Sequence, residues 1–241
     1  MPQKRGEVET LLANTSLFSG LEPRTLARLS KGAIPVEVAP GTTLFRRGDP
    51  ADGLYVVIAG RIKLSLPCPD DDEKVIALLG PDDSFGEAAM FLDRKHIVSA
   101  EALTRSKLVH VNKASVDMSI KRDSHFARQV VAMLSRRLRR LMREIEHSTT
   151  LTGTQRVIDF LIGELPKTAP TNAATIPLPA KKRIIASRLD LTHEHFSRIL
   201  HDLAAAKLLA VDGPRVIVPD VVRLRAHYAA LYTPKPSRRA A

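Results

Sequence analysis

The spacing of apolar residues changes twice within the first 150 residues of the chain. Residues 7–33 carry leucine and valine at helical intervals, with an interruption around Ser19 and Gly20. Residues 34–111 show short runs with β-strand character, and residues 115–147 return to helical spacing. The pattern therefore predicts short helices, a β-rich segment and a long helix, in that order.

Seven short apolar runs make up the β-rich segment, and turn residues separate them. The runs are Ile34–Val38, Thr43–Phe45, Leu54–Ile58, Ile62–Leu66, Val75–Leu79, Val98–Ala102 and Leu108–Val111. The turns are Pro40-Gly41, Gly48-Asp49, Gly60, Pro67, Pro69-Asp70, Gly80-Pro81 and Gly86. Evenly spaced short strands with glycine at the corners are typical of a small antiparallel barrel or roll.

A single apolar stripe follows the predicted long helix. Its members recur every three or four residues and are Ala127, Val130, Leu134, Leu138, Leu141 and Ile145. A helix this long with one apolar stripe is most simply explained by pairing with a second helix. We therefore predict a homodimer whose interface contains Val130, Leu134, Leu138, Leu141 and Ile145.

The segment from Lys182 to Asp202 has the pattern of two short helices joined by a tight turn. The first helix carries the small residue Ala186, and the turn falls at Asp190-Leu191. The hydroxyl of Thr192 can then cap the second helix. This is the spacing of a helix-turn-helix motif.

The second of these helices has an apolar face and a polar face. The apolar residues, at helical spacing, are Phe196, Ile199, Leu200 and Leu203. The other face carries Glu194, Ser197 and Arg198. Arginine can donate twice to guanine, glutamate can accept from cytosine, and serine can contact either kind of base. The pattern predicts a helix that enters the major groove of double-stranded DNA; a helical hairpin with a solvated polar face is the alternative.

The sequence around this motif extends the predicted DNA-binding unit. Further candidate DNA-binding residues are Thr192, His193, His195, Lys182 and Arg183. An amphipathic helix at Gln155–Leu165 and a loop at Pro166–Pro179 precede the motif. A hairpin formed by Leu208–Val211 and Arg215–Val218, with a turn at Asp212-Gly213, follows it. A hairpin directly after the second helix is the layout of a winged helix.

Positive charge is concentrated where this motif lies. The formal net charge is +11, and it divides into −1 for residues 1–120, +5 for residues 121–180 and +7 for residues 181–241. This distribution is expected for a protein that neutralises DNA phosphates. Binding to an anionic membrane is the competing explanation, but no amphipathic helix with large apolar anchors accompanies the charge.

An arginine cluster adds to the charge of the middle segment. Its members, which flank the apolar stripe, are Arg136, Arg137, Arg139, Arg140 and Arg143. The simplest interpretation is a solvated helix face. Contact with DNA phosphate and screening of a paired helix are the alternatives.

Several classes of protein are disfavoured by composition. The single cysteine, Cys68, leaves no disulfide framework, no iron–sulfur cluster and no zinc site built from cysteines. There is no apolar run of membrane-spanning length and no signal-peptide core, so we expect a cytoplasmic protein without a membrane partner. No nucleophile–base constellation or phosphate-binding glycine loop indicates an enzyme.

The order of roll, long helix and winged helix-turn-helix resembles the CRP/FNR superfamily of bacterial transcription regulators over residues 10–225. The roll carries the glycine layout of that superfamily at Pro40-Gly41, Arg47-Gly48-Asp49, Leu54–Gly60 and Phe85-Gly86-Glu87. Glu194-x-x-Ser197-Arg198 is the recognition-helix pattern of the FNR-like branch. The cAMP-responsive branch usually has Arg at the position of His193 and Gly at the position of Ser197.

The resemblance implies an α+β architecture with three parts. These are an N-terminal antiparallel β-roll of the cyclic-nucleotide-binding, jelly-roll type at residues 1–114, a dimerisation helix at 115–149 and a winged helix-turn-helix domain with a short disordered tail at 150–241. It also implies a homodimeric regulator, an activator or a repressor, that binds a palindrome with TTGAT-like half-sites and that has RNA polymerase as a partner.

The same resemblance allows the roll to be compared with the cyclic-nucleotide-binding members of the superfamily. Cyclic nucleotide binding in the superfamily needs a Gly-Glu pair for the ribose and an Arg-Ser pair about ten residues later for the phosphate. Gly86 and Glu87 are present, but the Arg and Ser positions fall on Ile97 and Val98, which cannot neutralise a phosphate. We therefore expect a sensory domain that is not tuned to cAMP.

The segment Phe85–Asp93 looks like that of the DNR-type regulators, which respond to nitric oxide through haem. This resemblance implies an effector pocket that contains Gly86, Glu87, Met90, Phe91, Ile97 and Val98, with Ala88 and Ala89 also in its wall. His96 is near the position where haem-binding relatives supply an axial imidazole, and Met90 could lie close by. The alternative is that His96 is a surface loop residue.

Two other functions remain open at this stage. One is a signalling module whose roll binds a cyclic nucleotide and controls an attached enzyme. The other is a regulator that is active without a small-molecule effector.

Overall fold

The computed structural model describes residues 2–68, 73–165 and 173–231. Contacts divide the chain into two compact units, Met1–Leu141 and Met142–Ala241. The predicted turn at Pro69-Asp70, the first half of the predicted loop and the predicted disordered tail at 234–241 lie outside the described residues. The domain boundaries at 114 and 149 stay predictions.

Helices and strands are distributed unevenly between the two units. The first unit contains α1 (Pro2–Ala13), α2 (Pro23–Lys31), β1 (Ala33–Val38), β2 (Thr43–Phe45), β3 (Gly53–Ala59), β4 (Ile62–Pro67), β5 (Glu73–Leu79), β6 (Ser84–Phe85), α3 (Glu87–Phe91), β7 (Ser99–Ala102), β8 (Ser106–Asn112), α4 (Lys113–Arg122) and most of α5 (Ser124–Thr150). The second contains the end of α5, α6 (Gly153–Gly163), β9 (Ala174–Pro177), α7 (Lys182–Arg188), α8 (His193–Ala205), β10 (Ala210–Asp212), β11 (Arg215–Val218) and α9 (Val221–Leu231).

Two four-stranded antiparallel sheets form the roll of the first unit. Their strand orders are β1-β8-β3-β6 and β2-β7-β4-β5. Apolar side chains from both sheets share one buried cluster, composed of Phe45, Val57, Ile62, Leu64, Leu79, Phe85, Ala100, Ala102 and Leu108. The predicted α+β fold with an antiparallel roll is therefore confirmed. The sequence pattern missed β6 and α3, because elements of two and five residues are too short to show a period.

A second buried cluster joins the helices of the first unit to the outer part of the roll. It contains Val8, Leu12, Leu17, Phe18, Leu21, Leu29, Ala33, Leu54, Val56, Met90, Val109, Val111, Val116, Phe126 and Val130. Phe18 and Phe126 stack at the centre of this cluster, with ring centroids 5.6 Å apart. The start of α5 is thereby fixed to the roll by apolar packing.

The helical stretch after the roll is two helices rather than one. Asp123 separates α4 from α5 and has extended backbone geometry. Its carboxylate accepts hydrogen bonds from the backbone N–H groups of His125, at 2.9 Å, and Phe126, at 3.0 Å. It also accepts one from the hydroxyl of Thr25, at 2.6 Å. These bonds, with that of Thr25 the strongest, lower the pKa of Asp123. Asp123 therefore caps α5, a feature that apolar spacing could not reveal.

The second unit combines four helices with a three-stranded antiparallel sheet of order β10-β11-β9. The predicted hairpin is confirmed as β10 and β11, with the left-handed Gly213 in its turn. β9 pairs with β11, which places Ile176 opposite Val216 in the sheet. The sequence analysis did not predict β9 or α9. The winged helix-turn-helix layout is present in the described part of this unit.

Candidate nucleic-acid interface

The turn between α7 and α8 sets the start of the candidate reading helix. Asp190 has a positive φ of 55°, a conformation that aspartate tolerates better than most residues. The hydroxyl of Thr192 then accepts a hydrogen bond from the backbone N–H of His195, at 3.2 Å. The predicted turn and the predicted cap are both confirmed. Together they fix where α8 begins.

Arg156 of α6 holds this turn from the side. Its Nη1 donates to the carbonyl oxygen of Leu189 at 2.6 Å and to that of Asp190 at 3.4 Å. The carboxylate of Asp190 lies 4.0 Å from the same nitrogen. The sequence pattern does not indicate this role, because a single arginine on an amphipathic helix does not reveal which groups it contacts. Arg156 makes the path of the turn depend on α6.

The two faces of α8 differ as predicted. Phe196, Ile199, Leu200 and Leu203 are buried. Glu194 and Arg198 are exposed, one helical turn apart, and Ser197 is half-buried. Within the described residues, no hydrogen bond or ion pair engages the guanidinium of Arg198. An exposed cation and an exposed carboxylate therefore stand on the side opposite to the buried face.

The carboxylate of Glu194 is held close to the start of α8. It accepts hydrogen bonds from its own backbone N–H and from the hydroxyl of Thr192, and the nearby His193 adds a smaller attraction. These contacts lower the pKa of Glu194, with the backbone bond as the largest cause. Glu194 is consequently a carboxylate acceptor at neutral pH, the form that can accept a hydrogen bond from a cytosine amine.

The remaining candidates occupy the edges of this surface. His193 and Arg183 are exposed, and Lys182 is half-buried at the start of α7. His195 lies against the first turn of α6, since a Cβ built on Gly153 would come 3.2 Å from its Cε1. Only Glu194 and Arg198 of the predicted set share the centre of the exposed face.

The predicted dimer stripe divides into a buried part and an exposed part. Leu134, Leu138, Leu141 and Ile145 are exposed, and Leu138 is 60% exposed. Val131 and Met142, which were not predicted, extend this apolar surface. Val130 is only 5% exposed and packs in the helical cluster of its own unit. Val130 therefore has little side-chain surface left for an interface, and the predicted interface as a whole stays a prediction.

Two of the arginines on α5 make intramolecular ion pairs within the first unit. Arg137 donates to the carboxylate of Glu87, which is 1% exposed. Arg140 lies 3.7 Å from the carboxylate of Asp83. Arg136, Arg139 and Arg143 are exposed. The arginine cluster is thus partly a structural feature of the roll.

A further ion pair joins α5 to the helix-turn-helix motif within the second unit. Arg188, at the end of α7, contacts Glu144 of α5. The sequence analysis singled out neither residue. They lie 44 positions apart, and nothing in the local pattern links them.

The predicted effector residues differ in burial and in their packing partners. Gly86 has a φ of 90° and begins α3, and Glu87 is engaged by Arg137. Met90 is fully buried in the helical cluster, whereas Ile97 is 71% exposed. Phe91 packs against the helical cluster and Val98 against the separate cluster inside the roll. The shared apolar pocket therefore stays a prediction, and its members differ in burial and in the cluster against which they pack.

His96 is neither a surface residue nor a free axial ligand. It is 6% exposed and stacks on Phe45, with ring centroids 3.6 Å apart and planes 7° from parallel. A Cβ on Gly86 would lie 3.7 Å from its Cε1, so backbone closes in beside the ring. Burial lowers the pKa of His96, although Asp49 and Asp52 oppose this effect. His96 is buried beside Phe45 and Met90 lies in another buried cluster, so the two residues do not share an open face that fits haem.

Each of the two units contains a match to a known family of domains. Residues 35–123 match the cyclic nucleotide-binding domain, and residues 155–227 match the Crp-like helix-turn-helix domain. The chain belongs to the CRP/FNR superfamily of transcription regulators. CRP/FNR proteins that match over their full lengths are DNA-binding regulators and not enzymes. Within the described part of the chain, no helix is long and apolar enough to cross a membrane.

Individual CRP/FNR relatives cover nearly the whole chain. A CRP-like cAMP-activated global transcriptional regulator of Mycobacterium tuberculosis is 27% identical over 219 residues, which span 90% of this chain and 98% of the relative. The nitrogen fixation regulation protein FixK of Bradyrhizobium diazoefficiens is 25% identical over 224 residues, 91% of this chain and 92% of the relative.

Solved CRP/FNR structures share the fold. The structure of FixK2 from Bradyrhizobium japonicum superposes with a TM-score of 0.72 at 24% identity, covering 80% of this chain and 96% of that chain. A candidate cyclic nucleotide binding protein from Ruegeria pomeroyi gives a TM-score of 0.65 at 28% identity, covering 93% of this chain and 98% of that chain.

Proposed function

We propose that this CRP/FNR regulator acts as a homodimer that reads a palindrome with TTGAT-like half-sites. The observation that carries the proposal is the pair formed by Glu194 and Arg198, both exposed and one turn apart near the start of a capped helix. Arg198 reads the guanine, and Glu194 accepts from a cytosine amine on the opposite strand. Ser197 packs against a neighbouring thymine.

Dimerisation follows from the exposed stripe on α5. Leu134, Leu138, Leu141 and Ile145 are large apolar side chains in contact with solvent. Burial of such a stripe against a second copy removes apolar surface from water. Two reading helices related by a two-fold axis suit a palindromic site. Contact of the bound dimer with RNA polymerase, and activation of transcription, complete the proposal.

The sensory unit, in this proposal, is not tuned to cAMP. Glu87 is already paired with Arg137, and neither Ile97 nor Val98 can neutralise a phosphate. The Mycobacterium tuberculosis relative is cAMP-activated, so the difference can be measured directly. A ligand that binds only the native state raises the melting temperature. We expect no rise for this protein with millimolar cAMP, and a clear rise would contradict this part of the proposal.

A haem- or nitric-oxide-responsive form of the regulator rests only on the resemblance of Phe85–Asp93. The burial of His96, which is 6% exposed, argues against it. We therefore expect that added haem gives no sharp Soret band beyond that of non-specific binding. A sharp band that shifts with nitric oxide and changes in His96→Ala would restore haem sensing to the proposal. A regulator that needs no small-molecule effector would respond to neither ligand.

The decisive test of the reading assignment uses a panel of operators with single-base changes. Arg198→Ala should lose affinity for the intact site, by about 1–3 kcal/mol per half-site, and should relax the preference at the guanine. Lys182→Ala is the matched control, because the loss of a phosphate contact should weaken binding to every operator variant alike. If Arg198→Ala also weakens all operators equally, Arg198 contacts the backbone and the reading face is wrongly assigned.

A further inference from the structure

The exposed face of α8 continues beyond Glu194 and Arg198. We propose that His201 is a third DNA-contacting residue, which donates a hydrogen bond to a phosphate at the rim of the major groove. This inference rests on the proposed function of α8. It concerns a residue that the reading pattern of the sequence did not include.

The position of His201 on the helix supports a contact on the same side. It follows Glu194 by seven residues and Arg198 by three, so the three side chains project within about 60° of each other at 3.6 residues per turn. His201 is exposed, as they are. Within the described residues, no hydrogen bond, ion pair or ring contact engages its imidazole. A polar side chain with free hydrogen-bonding capacity is therefore held on the DNA-facing side.

The other two histidines of α8 are placed differently. His193 and His195 lie about 100° to either side of Glu194 on the helix. His195 is directed at Gly153 of α6, where a Cβ would come 3.2 Å from its ring. Of the three, only His201 lies on the side directly opposite to the buried residues Phe196 and Leu203.

The position of His201 along α8 determines which part of the DNA it can contact. A residue seven positions after Glu194 lies about 10 Å further along the helix axis. The major groove is about 8.5 Å deep, and recognition helices enter it with their N-terminal residues first. When Glu194 is at the base edges, His201 is at the level of the sugar–phosphate rim. Phosphate oxygens only accept hydrogen bonds, and an imidazole N–H can donate to them.

The test compares His201→Ala with His227→Ala, a matched control that removes an imidazole from α9, outside the proposed DNA-binding surface. Binding of each dimer to the intact operator and to a scrambled duplex is measured over a range of salt concentrations. His201→Ala should weaken both duplexes alike, by roughly three- to tenfold per half-site, with an unchanged melting temperature. His201→Lys should restore affinity and steepen the salt dependence by about one ion per half-site. His227→Ala should bind as the wild type does.

Replacement of single phosphates by neutral methylphosphonate then locates the contact. Replacement of one particular rim phosphate in each half-site should weaken binding by the wild type and should have no effect on binding by His201→Ala. The inference is wrong if His201→Ala binds as the wild type does, or if its loss depends on the identity of one base pair. Failure of the proposed function would look different. In that case the wild type would not discriminate the operator from the scrambled duplex, and Arg198→Ala would not change that ratio.

Discussion

Arg137 of α5 donates hydrogen bonds both to the buried carboxylate of Glu87 and to the carbonyl oxygen of Ser84, the latter at 3.2 Å. The second oxygen of Glu87 is buried and has no hydrogen-bond partner among the described residues. Arg137 therefore provides the charge that compensates a carboxylate removed from water. Through this pair, α5 is tied to the start of α3.

Removal of Arg137 should leave an uncompensated buried charge. We expect Arg137→Ala to lower the free energy of unfolding by about 3 kcal/mol, measured by urea denaturation. Arg136→Ala, which removes an exposed neighbour, should change it by less than about 0.5 kcal/mol. The double variant Arg137→Ala/Glu87→Gln should regain much of the lost free energy of unfolding, because residue 87 then carries no buried charge that needs a partner. Equal losses in the single and double variants would contradict the assigned role.

The exposed stripe on α5 makes a separate prediction about assembly. Leu138 is 60% exposed, so Leu138→Glu should fold normally in each chain but place a charge inside the proposed interface. We expect a monomer in light scattering or sedimentation, with weak operator binding. Arg136→Glu, on another face of α5, should remain a dimer. A dimeric Leu138→Glu would mean that the interface lies elsewhere on the molecule.

Arg156 should act on DNA binding without touching DNA. Arg156→Ala removes the donor to the carbonyl oxygens of Leu189 and Asp190 and frees the turn before α8. We expect a loss of stability of about 1–2 kcal/mol. The ratio of operator binding to scrambled-DNA binding should also fall, as it depends on the direction of α8. Arg156→Lys keeps the positive charge but cannot reproduce the guanidinium geometry, so it should restore only part of that ratio. If Arg156 acted through its charge alone, Arg156→Lys would restore the ratio fully.

Asp123, which caps α5, should make the stability of the protein depend on pH in the acid range. Its folded-state pKa is lowered from 3.8, first by the Thr25 hydroxyl and then by the backbone N–H of Phe126. A lowered carboxyl pKa stabilises the fold above the unfolded pKa, and that contribution is lost as the pH falls through the folded pKa. Asp123→Ala should therefore destabilise the protein by about 1 kcal/mol at pH 7. The difference from the wild type should shrink below pH 4 in denaturation curves; a constant difference down to pH 2 would rule out this linkage.

The reading helix is the part that local sequence predicted best. Burial of Phe196 and Leu200, the cap at Thr192 and the exposed pair of Glu194 and Arg198 all follow from periodicity and capping over a few residues. The strands of the roll were predicted for the same reason, since alternation and glycine turns are local signals. The fold class and the DNA-binding function are therefore indicated by short-range sequence features.

What the tertiary structure decided concerns residues far apart in the chain. Spacing placed Val130 in an intermolecular stripe, but the fold buries it in the cluster of its own unit that also contains Phe18 and Phe126. Likewise, proximity in sequence grouped Met90 with Ile97, whereas the fold buries the first and exposes the second. The sequence by itself determined most of the longer helices and strands and the helix with the predicted DNA-reading face, because these depend on short-range periodicity; it did not reveal β6, α3, β9 or α9. Which apolar side chains face a core, a partner or solvent depends on long-range contacts, and only the folded chain decides it.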